Sequence, residues 1–114
     1  MTGPDEFAAR IAGERTDTEQ LLASLHSDLA GLIAASAGAN ADDEHDPEGA
    51  TIAFERAQLA ALVEQAEARL TELGRAEQRL ADGSYTRCEQ CGGPIGEQRL
   101  LARPATRRCV RCAG

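Results

Sequence analysis

The sequence predicts a mainly α protein: a long antiparallel helical hairpin of coiled-coil type, followed by a small C-terminal knob organised by four cysteines. Three observations carry this reading. Apolar residues recur at intervals of three and four along two long stretches, the mark of helices that pack on each other. An acidic break bearing Gly and Pro separates the two stretches. Two Cys-x-x-Cys pairs, Cys88/Cys91 and Cys109/Cys112, lie near the end of the chain. The expected organisation is a hairpin over residues 1–83, turning near 40–50, and a finger over 84–114.

The first helix is expected from about Phe7 to Ala37. Pro4 suits the first helical position, and Asp5 and Glu6 suit the first turn, where carboxylates favour the helix dipole. Leu22, Leu25, Leu29, Leu32 and Ser36 form its seam. Continued backwards, the same register reaches Thr18, Arg15, Ile11 and Ala8, so the seam is expected to fade toward the N-terminus. Gly13 is a soft point, and Thr16 with Glu19 could restart a helix as a capping box, but one continuous helix is favoured.

Residues 36–49 break the pattern. Gly38 or Asn40 can end the first helix, and Asp46 followed by Pro47 reads as N-cap and first helical residue of the next. The second helix is expected to reach about Asp82, with the stripe Ile52, Leu59, Val63, Ala66, Leu70, Leu73 and Leu80 and with Leu62 beside it. Gly83 then fits the residue after the C-cap. Each helix would be about 54 Å long at 1.5 Å per residue.

The cysteine spacing carries the chemistry. Seventeen residues, 92–108, separate the two pairs, inside the interval expected of a four-thiolate zinc site. A two-residue gap lets one tight turn offer two sulfurs to the same ion, and tetrahedral zinc needs four. Gly92 and Gly93 directly after the first pair suit a sharp turn. A redox pair and two structural disulfides are the alternatives. The first needs a single CxxC near a βαβ pattern, which is absent. One structural Zn²⁺ held by Cys88, Cys91, Cys109 and Cys112 is the reading, and four protein ligands leave no open position for catalysis.

Composition bounds the rest. With 114 residues, 3% aromatic and no Trp, the chain cannot build a large globular core. Residues 84–114 in particular are expected to have almost no apolar core without metal. Cysteines in metal spacing fit a reducing cytosol, the N-terminus is not a signal peptide, and no run approaches the roughly 18 apolar residues of a membrane span. A soluble, cytoplasmic protein is expected.

Net charge is −7, unevenly spread: residues 1–83 hold 17 acids and 6 arginines, residues 84–114 only Glu89 and Glu97 against 6 arginines. Arg87, Arg107, Arg108 and Arg111 are expected to offset the negative zinc–thiolate cluster. Direct sequence-specific DNA binding by the finger is not expected, since the largely acidic body repels phosphates. The sequence offers no phosphate loop, no nucleophile–base arrangement and no aromatic platform for single-stranded nucleic acid. It does not read as an enzyme.

The stretch from Cys88 to Cys112 also carries a resemblance. Cys-x2-Cys-Gly, Ile95, Arg99-Leu100, Ala102, Pro104 and the closing Cys-x2-Cys resemble the C4 zinc finger of the DksA/TraR family, as does the Gly83-Ser84-Tyr85 lead-in. Those are bacterial proteins that bind RNA polymerase. The resemblance implies a coiled coil that enters the polymerase secondary channel, with a tip motif Asp-x-x-Asp-x-Ala near the catalytic centre. Aligned on the Asp-Pro that opens the second helix, Asp46 matches the first Asp, Gly49 stands at the second, and Thr51 at the Ala. Asp43 and Asp46 keep the two-Asp spacing three residues earlier. Only Ala113 and Gly114 follow the last cysteine, where DksA continues into a helix.

The resemblance therefore implies a monomeric transcription regulator with RNA polymerase as protein partner, no membrane, and Asp42, Asp43, Asp46, Glu48 and Thr51 as tip residues. Without it, the acidic turn reads as a solvated loop. The alternatives are an adaptor whose hairpin dimerises while the finger docks another protein, and a zinc-ribbon nucleic-acid binder using Arg99 to Arg111. His45 reads as an exposed loop residue and His26 as surface or packing. Phe54 is either a partner contact or packing on the first helix's end, and Tyr85 packs beside the knob.

Overall fold

The structure, a computed structural model, describes residues 3–37 and 47–113. Within them three helices follow one another: α1 (Pro4–Ala37), α2 (Pro47–Asp82) and the short α3 (Glu97–Ala102). The two long helices form the expected hairpin. Among the described residues there is no strand, only an isolated antiparallel bridge between Arg87 and Pro94. Among the same residues no helix is long and apolar enough to cross a membrane.

The helix ends follow local chemistry. Pro4 opens α1 with Asp5 and Glu6 in its first turn, and the Gly3 carbonyl accepts from the amides of Glu6 and Phe7 at 3.1 and 3.3 Å. α1 runs through Gly13 without interruption. At the end of α2, Gly83 takes φ 85°, a left-handed conformation that glycine adopts without a Cβ clash. That turn lets the Ser84 amide reach back to the Arg79 carbonyl at 3.0 Å, the six-to-one bond of a Schellman cap. The caps proposed at Gly38, Asn40 and Asp46 lie outside the described residues.

Two compact units can be distinguished, Glu19–Ala68 and Met1–Thr18 with Arg69–Gly114. In the first, Leu25, Val63 and Ala66 are buried together, with Leu22 and Leu59 packed on them. Leu29, Leu32 and Ser36 on α1 and Ile52 on α2 are half-buried. Leu62 lies at the flank, 43% exposed, and Phe54 faces outward at 67%.

The second unit holds most of the buried hydrophobic residues found among those described. Phe7 and Ile11 of α1, Leu73 and Ala76 of α2, and Tyr85, Ile95, Leu100 and Ala105 of the finger share one core with Cys88 and Cys109. Ile11 and Leu73 have no exposed surface at all. Each such side chain contributes about 1.5–3 kcal/mol relative to exposure. Two expectations are corrected here. The α1 seam does not fade toward the N-terminus, and its register there is Phe7, Ile11, Glu14 and Thr18, with Ala8 and Arg15 exposed. The cause is a third surface, the finger, against which Phe7 and Ile11 pack. Arg15 turns outward to Glu77 at 2.6 Å, and Glu14 takes Arg69 at 3.1 Å. Nor does residues 84–113 lack apolar material: its buried side chains complete a core that the helices begin.

Candidate metal centre

The finger is two cysteine turns and a short helix tied together by backbone hydrogen bonds. In the first turn the Cys88 amide donates to Gly93 O at 2.8 Å and the Gly92 amide to Cys88 O at 2.9 Å. Gly92 makes this possible at φ 74°; Gly93 is not left-handed, so the sharp bend rests on one glycine. In the second turn the amides of Cys112 and Ala113 both donate to Cys109 O, at 3.1 and 3.0 Å. A bond from the Glu89 amide to Arg107 O at 2.9 Å joins the two turns.

This framework brings all four sulfurs within 4.8 Å of one another, and among the described residues no other group of His, Cys, Asp or Glu does so. The sulfurs of Cys91 and Cys109 stand 3.8 Å apart. A tetrahedron with Zn–S bonds of about 2.3 Å has edges of about 3.8 Å, so the spacing fits the ion. The thiols are free rather than paired in disulfides; Cys88 and Cys109 are buried, Cys91 is exposed and Cys112 lies between. One structural Zn²⁺ is the cofactor. Its four thiolate ligands would pin both turns to one point and supply folding energy rather than reactivity.

Local hydrogen bonds prepare the ligands unequally. The backbone N–H groups of Cys109 and Cys91 donate to the Cys88 sulfur and lower its pKa to about 6. The Cys112 backbone N–H does the same for Cys109, lowering it. Cys112 is pushed up to about 12, first by its sulfhydryl hydrogen bond with Cys109 and then by burial.

Arg79 on α2 holds the framework from below. Its guanidinium donates to Arg87 O at 2.7 Å, Ser84 O at 3.2 Å and Thr106 O at 3.3 Å, reaching the segments that lead into Cys88 and Cys109. Tyr85, 1% exposed, donates its hydroxyl to Pro104 O at 2.8 Å and meets the Phe7 ring edge-on with centroids 5.2 Å apart. Burial pushes the Tyr85 phenol up, with Arg79 opposing, so it stays a neutral donor. From α1, Arg10 Nε donates to Leu101 O at 2.8 Å. Arg107 lies 3.4 Å from Glu72 and 3.7 Å from Glu89, and Arg108 3.5 Å from Glu89. Two of the four arginines expected to balance the thiolates are therefore committed to carboxylates. Arg87 and Arg111 have no carboxylate partner among the described residues.

Residues 83–114 match the family of the prokaryotic dksA/traR C4-type zinc finger. Over this segment the chain is similar to the DksA-type zinc-finger proteins. The likeness extends beyond the finger: the structure of transcription factor DksA2 from Pseudomonas aeruginosa superposes with a TM-score of 0.82 and 25% identity, covering 96% of this chain and 79% of that one. An uncharacterized protein of Aquifex aeolicus (strain VF5) is 46% identical over 46 residues, 40% of this chain. That match spans 32% of the Aquifex protein's own length.

Asp42, Asp43, Asp46 and His45 lie outside the described residues, as does the side chain of Glu48, while Thr51 is an exposed position of α2. His26 is exposed on α1. Arg79, Arg10 and Phe7 are the supporting residues that sequence reasoning missed. For Phe7 a signal existed, its four-residue spacing to Ile11; for the arginines there was none, because their partners are main-chain carbonyls.

Proposed function

We propose that this DksA-like chain regulates transcription by binding RNA polymerase rather than DNA, and that it is not an enzyme. The hairpin enters the polymerase secondary channel, with the acidic stretch carrying Asp42, Asp43, Asp46, Glu48 and Thr51 as its probe and the zinc finger as its structural base. The observation that carries the reading is the likeness to a transcription factor, DksA2, over 96% of this chain. Charge supports it: at −7 the chain disfavours phosphate, and Arg107 and Arg108 are engaged by Glu72 and Glu89.

The test is retention of the zinc-loaded chain on immobilised bacterial RNA polymerase, followed by transcription in vitro. Wild type is expected to bind as a monomer and alter transcript yield. Asp46→Asn removes a charge but keeps N-cap quality; it should still bind and lose the effect. Absence of retention would favour the adaptor reading. An Asp46→Asn chain that regulates like wild type would leave the acidic stretch a solvated turn.

A further inference from the structure

A groove on the finger has no role in holding zinc. Ile95 and Ala102 line it together with Val110, and it encloses about 550 Å³ open to solvent. Val110 is 73% exposed although it sits between two ligand cysteines. An aliphatic side chain that contributes nothing to the core and stands free beside a groove offers apolar area to something else.

The rim is charged. Arg99 and Arg103 line the groove with one carboxylate, Glu97. Arg99 is fixed in place by Arg108 O at 3.0 Å and Thr106 Oγ1 at 3.4 Å. Arg103 is exposed and, like Arg111 next to Val110, has no carboxylate partner among the described residues. Six arginines against two acids keep residues 84–114 cationic even with the −2 of a zinc tetrathiolate.

From this geometry we infer that the groove docks a short acidic–aliphatic segment of a partner protein, an aliphatic side chain entering between Ile95, Ala102 and Val110 while flanking carboxylates meet Arg103 and Arg111. Nucleic acid fits less well. The groove offers no aromatic ring for a base to stack on, its floor is aliphatic, and the acidic body opposes a phosphate chain. The inference stands apart from the polymerase reading, since it rests on the finger alone and names a ligand chemistry rather than a partner.

The test uses the full zinc-loaded chain, ¹⁵N-labelled, and three probes: a capped peptide of sequence EDLLDE, its charge-reversed counterpart KRLLRK, and an eight-residue oligothymidylate. The acidic peptide should shift the amides of residues 95–103 and 109–111. Val110→Ser and Arg103→Gln should each weaken it at least threefold. Both positions are exposed, and unchanged zinc content and spectral dispersion would verify that the variants fold. No shift in these amides, or equal shifts with the basic peptide, would overturn the inference. Binding by the oligothymidylate alone would overturn it in favour of a nucleic-acid surface.

Discussion

Replacing Arg79 by Gln should weaken zinc binding without touching a ligand. The guanidinium makes three bonds to main-chain oxygens, at 2.7, 3.2 and 3.3 Å. Hydrogen bonds from charged donors contribute about 1.5–3 kcal/mol when well made and neutral-strength bonds about 0.5–1.5. Taking the short bond at the low end of the first range, because Arg87 O is near solvent, and the two long ones at the low end of the second, the loss is about 2.5 kcal/mol. The acceptors precede Cys88 and Cys109, so the loss falls on the metal-bound arrangement of the finger. At 1.4 kcal/mol per factor of ten, the zinc Kd should rise about 30- to 100-fold. Arg79→Lys should restore little, since an ammonium cannot span three diverging carbonyls as a planar fork does. The assay is competition against a chromophoric chelator. Arg75→Gln serves as control, because Arg75 is exposed and among the described residues bonds only Glu72, one turn away; it should stay within about 0.5 kcal/mol. If Arg79→Gln binds zinc within threefold of wild type, Arg79 does not organise the finger.

Three further outcomes are expected. Tyr85→Phe leaves Pro104 O without its buried donor while keeping the ring against Phe7, and should lower stability by about 1–2 kcal/mol in thermal or denaturant unfolding. Zinc removal should speed amide exchange of residues 7–18 together with 85–112, because Phe7 and Ile11 share the finger's core, and leave 59–66 unaffected; acceleration confined to 84–113 would contradict the shared core. The same titration carries a pH signature. All four sulfurs must be deprotonated to bind metal. Cys112, pushed up to about 12, gives up a full proton at neutral pH, and Cys88, lowered to about 6, adds one only as pH falls through 6. Zinc affinity should therefore fall with acidification, more steeply below pH 6, as measured by chelator competition at pH 5.5 and 7.5.

Helix periodicity, the Gly83 cap and the cysteine spacing are local signals, and each was legible in the sequence. Leu25, Val63 and Ala66 announce themselves by three- and four-residue intervals, and the 88/91/109/112 spacing names its ion. What could not be read is which surface covers a helical face. A stripe says that Ile11 is covered; it does not say that Tyr85, 74 positions on by residue number, helps to cover it. Extrapolating the α1 seam on helix-on-helix packing alone put Ala8 and Arg15 inside and left Phe7 out. Ala76 hid in a background of alanines. Arg79 looked like any arginine on a solvated flank, because main-chain oxygens carry no sequence signature.

The core that joins Phe7 and Ile11 to the finger also fixes an order of events in synthesis. The bond from Arg10 to Leu101 spans 91 positions, and contacts of such separation form only after the loop between them has been closed. The Leu25–Val63–Ala66 cluster has all its members once residue 66 is made. The Phe7–Ile11 face must wait until residues 85–109 have followed. Throughout that interval the first helix on the growing chain displays a phenylalanine and an isoleucine that Leu73 and Ala76 cover only in part, the surface on which premature association begins. Arrival of the cysteine segment, and the metal it captures, ends that exposure. The slowest step of folding is thus expected at the finger, and its rate should respond to free zinc.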